Sequence, residues 1–340
     1  MRSIPVQQAD GMVLCHDITS IVPGEAKGPA FRKGHIICAD DIPTMLRLGK
    51  EHIYVWDLAE GLLHEDDAAA RLAKAIAGQG ILLSPPAEGR INLLAEHGGL
   101  LKINVEILRQ LNSIEEVTIA TLHSDMTVVS GQMLAGTRVV PLVVDKGRVE
   151  SVEAICAQAE PVVRVVPFRP LRVGVVTTGG EIYHGRIKDQ FGPVLHRKFA
   201  ALHCTVISQL FVPDDREMTV RAIRQLLDQG CGLIAVTGGM SVDPDDLSPS
   251  SIRAAGGEVI TYGSPTFPGA MFMLASIDGI PVVGLPGCVM YHKASIFDLV
   301  VPRLVAGEQL RRADIVELGH GGLCAMCPEC RYPLCCFGKS

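Results

Sequence analysis

The chain has no excess of positive charge, few aromatic residues and no long apolar run. Its 340 residues have a formal net charge of −6, and aromatic residues make up 4% of them. A negative chain without a basic run interleaved with aromatic residues is poorly suited to bind nucleic acid. No apolar stretch approaches the ~18 residues that a membrane-spanning helix requires. We therefore expect neither nucleic acid nor a membrane among its partners.

The amino-terminal segment also lacks the pattern of a secretory signal peptide. Residues 1–15 include Asp10 and have only short apolar stretches, whereas a signal peptide has one continuous apolar core. We therefore expect a cytoplasmic protein, in which cysteine thiols stay reduced. The chain has 11 cysteines, and five of them crowd near its carboxyl end, which predicts metal ligands rather than disulfides.

Apolar residues and glycines are abundant instead. Hydrophobic residues make up 48% of the chain, and it has 35 glycines, a composition that supports several cores and many tight turns. Composition and pattern divide the chain into four segments. They are a small α+β amino-terminal unit (1–60), a middle α/β segment of unknown role (61–168), an α/β domain (169–310) and a cysteine-rich tail (311–340).

The first two segments are predicted to hold short strands and helices, from apolar periodicity and turn residues. In chain order these are a strand at 31–37, a helix at 40–49, a strand at 52–56, helices at 66–77 and 104–111, and strands at 117–122 and 139–144.

In the third segment, strands alternate regularly with helices. The predicted strands are 171–178, 204–212, 232–237, 258–262 and 281–284, and the predicted helices are 193–202, 215–229, 247–255 and 290–304. Such alternation predicts βαβ units, and hence a mostly parallel sheet in a three-layer α/β fold. Ligands of such sheets bind at the carboxyl ends of the strands.

Four loops are predicted to meet at those strand ends. They are Thr177-Thr-Gly-Gly-Glu181, Pro213-Asp-Asp215, Thr237 to Asp246, and Gly284-Leu-Pro-Gly287. Glycines in such loops allow backbone N–H groups to approach an anion closely. We therefore expect a phosphate-bearing ligand at this edge.

The same loops carry more carboxylates than a phosphate site alone would tolerate. They are Glu181, Asp215, Asp243, Asp245 and Asp246. A magnesium ion that bridges phosphate and carboxylates would resolve the repulsion. The run before the helix at 247–255 is also an ordinary amino-terminal cap, for which Asp243 and Asp245 are the best candidates.

Several of these motifs resemble one protein family. The segment Thr237-Gly-Gly-Met-Ser-Val-Asp-Pro-Asp-Asp246, with Gly284 to Gly287 and Pro302-Arg-Leu304, resembles the molybdopterin-binding domain of molybdenum cofactor biosynthesis proteins. The family includes molybdopterin adenylyltransferases and molybdopterin molybdenumtransferases. Thr178-Gly-Gly-Glu181 and Lys188-Asp-Gln-Phe-Gly-Pro193 are similar to motifs of the molybdenumtransferases.

The resemblance implies a pterin dithiolene whose terminal phosphate, or adenylate, lies on the glycine loops. The implied cofactor-binding residues are Thr178, Gly179, Thr237, Gly238, Gly239, Ser241, Gly284, Pro286 and Gly287. The implied catalytic residues, which would handle magnesium or molybdate, are Glu181, Asp189, Asp215 and Asp246. The implied reaction is insertion of molybdate into adenylylated molybdopterin with release of AMP.

Some features of the chain depart from the family. Gly287-Cys288-Val289 stands where the family has Gly-Asn-Pro, and the amino-terminal Met-Asp-Gly motif of the molybdenumtransferases is missing. These departures favour a second hypothesis, a non-catalytic carrier or sensor that delivers molybdopterin to a molybdoenzyme. A third is a nucleotide phosphohydrolase, because competence-damage-type proteins have a similar domain; ADP-ribose turnover would reveal it. We expect a homo-oligomer in each case.

The tail carries a second strong motif. Cys324, Cys327 and Cys330 are spaced by three, and Cys335-Cys336 follow. Cysteines at this spacing can wrap an iron–sulfur cluster or a zinc ion, and the spacing alone fits both about equally. The alternative is a flexible, reduced tail without metal.

Overall fold

The computed structural model describes residues 2–20, 28–55, 61–87, 89–140, 142–241, 243 and 246–339. The chain forms two compact units. The first comprises Met1–Glu96, Ile103–Leu122 and Gly131–Arg164, and the second His97–Lys102, His123–Ser130 and Val165–Ser340. Among the described residues, none of the helices has the length and apolarity needed to span a bilayer.

The amino-terminal part of the first unit is a small α+β assembly. Its elements are β1 (Arg2–Pro5), a 3-10 helix (Val6–Gln8), β2 (Ile18–Ser20), β3 (Gly28–Phe31), α1 (Ile42–Arg47) and β4 (His52–Val55). β1 pairs antiparallel with β4, and β2 pairs antiparallel with β3. Leu14, Met45 and Ile53 lie in its core.

The helix predicted at 40–49 is confirmed, but the strand predicted at 31–37 is wrong beyond Phe31. The chain turns there, because Gly34 has a φ of +83° and its N–H donates to the carbonyl of Leu14. The strand predicted at 52–56 is confirmed to Val55, and Trp56 lies outside the described residues.

The rest of the first unit combines three helices with antiparallel strands. Its elements are β5 (Leu62–His64), α2 (Glu65–Ile76), β6 (Ile81–Leu83), β7 (Arg90–Ala95), α3 (Val105–Asn112), β9 (Val117–Thr121), β11 (Met133–Val139), β12 (Val143–Asp145) and α4 (Lys146–Ala157). Four of the strands form a sheet in the order β6-β7-β11-β9, and β12 pairs with β5. The apolar stripe of α2, which includes Leu72 and Ile76, is buried.

The strand predicted at 139–144 is wrong. β11 ends at Val139, and β12 begins at Val143. The N–H of Val140 donates to the carbonyl of Glu116 (3.1 Å), which lies outside β9, and Pro141 lies outside the described residues. The helices predicted at 66–77 and 104–111 and the strand at 117–122 are confirmed.

The second unit contains a six-stranded sheet. It also contains most residues of a small three-stranded sheet. The small sheet has the order β10-β8-β13 and consists of β8 (Gly99–Ile103), β10 (Thr127–Val128) and β13 (Val163–Val166). The large sheet consists of β14 (Arg172–Thr178), β15 (Thr205–Val212), β16 (Leu233–Thr237), β17 (Glu258–Tyr262), β18 (Met273–Ile277) and β19 (Ile280–Leu285). Its order is β15-β14-β16-β19-β18-β17.

Parallel pairing dominates the large sheet, as predicted. β15, β14, β16 and β19 run parallel to one another, whereas β18 is antiparallel to both of its neighbours. All five predicted strands of this segment are confirmed, and β18 is an addition that periodicity did not reveal.

Helices cover both faces of this sheet. They are α5 (Gly180–Tyr183), α6 (Phe191–Ala201), α7 (Arg216–Asp228), α8 (Ser248–Ala254), α9 (Cys288–Tyr291), α10 (Ile296–Ala306) and α11 (Arg312–Val316), followed by a 3-10 helix (Glu317–Gly319). Val175 packs in one core with α6 and α10, and the adjacent Val176 packs in another with α7 and α8. Because successive strand residues point to opposite faces, the two cores confirm the three-layer α/β fold.

The helix predicted at 290–304 is two helices, α9 and α10, and this prediction was wrong. Ser295 has an extended backbone, and its side chain accepts a hydrogen bond from the N–H of Phe297. Asp298 in turn accepts one from the N–H of Ser295. This reciprocal cap starts a new helix in the middle of the apolar run.

Candidate functional site

The strand ends bring the four predicted loops to one edge of the six-stranded sheet. Thr178, at the end of β14, pairs with Val212, the last residue of β15. Thr237, the last residue of β16, pairs with Leu285 at the end of β19. The loops 178–181, 213–215, 237–246 and 284–287 begin at these ends, and we call them the edge loops.

The first and third edge loops approach each other closely at Thr178 and Gly238. Gly238 has a φ of +81°, and a Cβ at this position would overlap the carbonyl oxygen of Thr178. The hydroxyl of Ser248 donates to the carbonyl of Gly238 (2.8 Å) and lies 3.4 Å from the hydroxyl of Thr178. Glycine is therefore needed at position 238 both for its conformation and for this close approach.

A second network joins β14 and β15 to the start of α6. The side-chain amide of Gln209 donates to the hydroxyl of Thr177 (2.9 Å) and to Asp189 Oδ2 (2.7 Å). Asp189 also accepts hydrogen bonds from the backbone N–H groups of Phe191 (2.8 Å) and Gly192 (3.0 Å). A carboxylate with this many donors is fixed in place, and a Cβ on Gly192 would overlap it.

Two of the other predicted acidic residues also bind backbone N–H groups. Asp215 caps α7 by accepting from the N–H of Met218 (2.7 Å). Asp246 Oδ2 accepts from the N–H of Asp243 (3.0 Å). The N-cap of α8 is Leu247, which makes no side-chain cap bond, so the prediction that Asp243 caps this helix is wrong, and Asp245 lies outside the described residues.

Glu181 differs from these aspartates. It lies in the first turn of α5 and is exposed. Its carboxylate has no hydrogen-bond partner among the described residues, so it is the predicted acidic side chain most available to a ligand.

The predicted cofactor-binding residues divide by exposure. Thr178, Gly179, Thr237, Gly284 and Pro286 are buried and shape the loops from beneath. The positions that reach the surface are Gly238, Gly239, Ser241 and Gly287. Direct contacts with a ligand are therefore expected from this second group.

Cys288 follows the last edge loop at the start of α9. It is half-buried, and burial raises the pKa of its thiol above the usual value. The side chain is therefore a neutral thiol at pH 7. The family that these motifs resemble has the side-chain amide of an asparagine at this position.

Sequence reasoning missed Gln209 and Ser248, and it gave no role to Asp214. Asp214 Oδ2 accepts from the N–H of Gly180 (2.9 Å) and so ties the second edge loop to the first. A glutamine inside the apolar strand 205–212 was a signal that could have identified Gln209, since a polar side chain in such a run requires partners.

The five tail cysteines lie around one space. Cys324, Cys327, Cys330, Cys335 and Cys336 all line a cavity of about 190 Å³. In the described part of the chain, no group of three His, Cys, Asp or Glu side chains is arranged to hold a metal ion. Metal binding by these cysteines therefore stays a prediction.

Two family models match the chain. Residues 174–306 match a family described as "Probable molybdopterin binding domain", and residues 3–57 match one described as "Domain of unknown function (DUF8806)". The chain is 26% identical over 143 residues to a molybdopterin molybdenumtransferase of Synechococcus elongatus, which covers 40% of this chain and 36% of that protein. It is 36% identical over 78 residues to a CinA-like protein of Mycolicibacterium gilvum, which covers 23% of this chain and 18% of that protein. The chain thus spans only a minor part of the length of these relatives.

Among solved structures, the molybdopterin biosynthesis enzyme MoaB of Thermus thermophilus matches with 19% identity and a TM-score of 0.33, over 41% of this chain and 98% of that one. The Mog protein of Mycobacterium ulcerans matches with 17% identity and a TM-score of 0.33, over 39% and 92%. The family model places the match on β14 to α10, which include all four edge loops. Residues 174–306 of this chain are therefore similar to the family described as a probable molybdopterin-binding domain.

Proposed function

We propose that the second unit binds molybdopterin, or its adenylate, on the edge loops and that the protein takes part in molybdenum cofactor biosynthesis. The observation that supports this best is the alignment of the ends of β14, β16 and β19, which sets three glycine-bearing loops side by side. Bare backbone at neighbouring strand ends is suited to a phosphate, because N–H groups can point at it without obstruction by side chains.

The surface positions of these loops give the phosphate its contacts. The hydroxyl of Ser241 and the backbone at Gly239 and Gly287 are accessible. Thr178 and Thr237, being buried, instead hold the loops in position through the bonds around Ser248 and Thr177. The ligand would thus meet a surface whose shape is set before it binds.

Carboxylates lie around this surface, and a magnesium ion would offset their repulsion of a phosphate. Glu181, Asp215 and Asp246 lie on three different edge loops, and they do not form a metal site by themselves among the described residues. Magnesium would therefore be held by one or two of these carboxylates together with the phosphate of the ligand. Magnesium, when bound, would neutralise the phosphoanhydride charge. Asp189, whose oxygens are already occupied, would position the turn before α6 rather than bind the ion.

The finer proposal is that molybdate is inserted into adenylylated molybdopterin with release of AMP. In this scheme Glu181, with its exposed carboxylate, has the most direct role, and the protein acts by positioning charged groups around the phosphoanhydride. Molybdate is a substrate of the reaction.

A second candidate function is a carrier that holds molybdopterin for delivery to a molybdoenzyme. Two observations favour it. The carboxylates of Asp189, Asp215 and Asp246 each accept a hydrogen bond from a backbone N–H group, which leaves them fewer lone pairs for a ligand. Cys288, a neutral thiol, cannot supply the amide contact of the resembling family.

Incubation of the full chain with adenylylated molybdopterin, magnesium and molybdate, followed by chromatographic measurement of AMP, separates the two functions. We expect AMP release, slowed roughly 10²-fold in Glu181→Gln. Glu258→Gln is the control, because Glu258 is exposed at the amino end of β17, away from the edge loops.

Tight pterin binding without AMP release would support the carrier and contradict the insertion reaction. Absence of pterin binding would contradict both functions. Hydrolysis of ADP-ribose without pterin binding would instead support the third hypothesis, that the domain is a nucleotide phosphohydrolase.

A further inference from the structure

We propose that residues 321–338, which we call the cysteine loop, bind an iron–sulfur cluster through cysteine thiolates, beside the helix that follows the last edge loop. The proposal concerns a second site of the second unit and does not depend on what the edge loops bind.

The cysteine loop is closed at its base by backbone hydrogen bonds. The N–H of Gly338 donates to the carbonyl of Gly321 (2.9 Å). The N–H of Cys324 donates to the carbonyl of Phe267 (2.8 Å), and the N–H of Phe267 donates to Gly322 (2.8 Å). All five tail cysteines lie between these bonds, so the chain that carries them begins and ends at fixed points.

Two aromatic side chains anchor the loop to the core of the six-stranded sheet. Phe337 is 1% exposed and packs in the core that contains Phe297 and Val300 of α10. The hydroxyl of Tyr332 donates to the carbonyl of Asp298 (2.8 Å). Pro302, four residues later in α10, has no N–H to offer that carbonyl, so the tail supplies the missing donor.

The cysteine loop is therefore tied to the core at several points along its length. Two of the cysteines, Cys324 and Cys335, also pack partly against this core.

The cavity that the cysteines line has room for a group of several atoms. Its volume is about 190 Å³, and all five tail cysteines are among its lining residues. Among the described residues, no three of these thiols are already placed to hold a metal ion, so ligation requires the cysteine side chains to move toward the cavity centre. A cluster of several atoms can bridge thiols that are set apart in this way, whereas four thiolates around one zinc ion lie at ~2.3 Å from it and nearly touch one another.

Positive side chains surround the same space. Lys293 and Arg331 line the cavity together with His292. Cations at the positions of Lys293 and Arg331 would offset the negative charge of a thiolate-bound cluster.

The cysteine spacing is compatible with this assignment. Cys324, Cys327 and Cys330 follow the two-residue spacing of a cluster-binding run, but Cys335 follows after four residues where that run has three. The half-buried Cys335 lies against the fixed core, and the exposed Cys336 is its neighbour.

The cavity also adjoins the element that leads out of the last edge loop. α9 begins with Cys288, directly after Gly287, and its last residue, Tyr291, lines the cavity. One short helix of ~1.5 Å rise per residue therefore separates the two sites along the chain.

Anaerobic purification of the full chain, with assays for iron, acid-labile sulfide and zinc and an absorbance spectrum, tests the proposal. We expect iron and sulfide in equal amounts and a broad band in the visible range that dithionite bleaches. Substitutions Cys324→Ser, Cys327→Ser and Cys330→Ser should each lower the iron content roughly tenfold or more. Comparison of Cys335→Ser with Cys336→Ser identifies the fourth ligand.

The matched control is Cys38→Ser, which removes an exposed thiol of the first unit and should leave the iron content unchanged. Circular dichroism shows whether each variant is folded. Stoichiometric zinc without sulfide would overturn the cluster and assign the loop to a zinc ion. Five reactive thiols and no metal, after anaerobic purification and after reconstitution with iron and sulfide, would overturn the metal site altogether.

Discussion

The edge loops and the cysteine loop are both held by hydrogen bonds, but the bonds lie at different places in the two regions. In the edge loops, some of the acidic side chains expected near the ligand are themselves the bonded groups, as for Asp215 and Asp246. In the cysteine loop, the bonds lie at the base and at Tyr332, and no thiol of the tail cysteines makes a hydrogen bond to the described residues.

The proposed phosphate site of the edge loops would thus use groups that the folded chain already holds in place. The proposed site of the cysteine loop would take its final geometry only when a metal binds. A phosphate can bind to backbone groups that are already in place, so fixed loops favour it. Thiolates repel one another and come together only around a cation, so the chain can fix where the loop begins and ends but not the ligand geometry itself. The predictions below test each half of this comparison, beginning with the largest expected effect.

Removal of the main anchor of the cysteine loop should have the largest effect. Phe337→Ala leaves a cavity in the core of the six-stranded sheet, and we expect a loss of about 3–5 kcal/mol in the free energy of unfolding. Urea denaturation monitored by circular dichroism measures this. Phe211→Ala is the control, because Phe211 is 42% exposed on β15 and should cost far less. Equal losses in the two variants would show that the tail does not stabilise the unit.

Substitution of the glycine that joins two edge loops is expected to have the next largest effect. Gly238→Ala combines the cost of a positive φ with overlap against Thr178, together about 2–4 kcal/mol. Gly279→Ala provides a matched control, because Gly279 has a φ of +80° and nothing within 4 Å of the added Cβ. Its cost should be only the conformational one, about 1–2 kcal/mol. A similar loss in the free energy of unfolding for both variants would mean that the loop at Gly238 moves to accommodate the added Cβ and is not preformed.

The sequence predicted the edge loops better than it predicted what holds them. Continuous apolar runs ended by glycine identify β14, β16 and β19 because buried parallel strands need no alternation. The partner of Thr178, by contrast, is Ser248, seventy residues away, and no periodicity connects the two. The hydrogen bond of Asp246 joins it to Asp243 within the same loop and does not cap α8, so the capping prediction for Asp243 was wrong.

The errors in this unit have local causes. The prediction of one helix at 290–304 overlooked the Ser-x-x-Asp spacing of a helix cap at Ser295 and Asp298. β18 was missed although Pro268-Gly269 precede it and Asp278-Gly279 joins it to β19. Both elements could therefore be predicted from nearby residues, whereas the contact between Thr178 and Ser248 could not.

The network around Asp189 should respond to loss of charge by a smaller amount. Asp189→Asn replaces one acceptor oxygen with an NH₂ group, which cannot accept from both Gln209 and the backbone. We expect a loss of about 1–3 kcal/mol in the free energy of unfolding. Asp228→Asn, at the exposed end of α7, is the control and should be nearly neutral. If Asp189→Asn were neutral in stability but lowered AMP release, the residue would be catalytic rather than positioning.

The smallest predicted effect concerns the single bond by which the cysteine loop completes α10. Tyr332→Phe keeps the ring but leaves the carbonyl of Asp298 without the donor that Pro302 cannot supply. Burial raises the pKa of Tyr332, so its hydroxyl stays protonated and able to donate. We expect a loss of about 1 kcal/mol in the free energy of unfolding.

A double-mutant cycle with Pro302→Ala identifies the cause of that loss. Alanine restores an N–H at position 302, so the carbonyl of Asp298 regains a donor within the helix and Tyr332→Phe should cost less in this background. An unchanged cost would show that Tyr332 stabilises the tail by packing alone. A reduced cost would show that the cysteine loop is attached to the core through a hydrogen bond that α10 itself lacks, which is how a loop without secondary structure can hold its cysteines in one place.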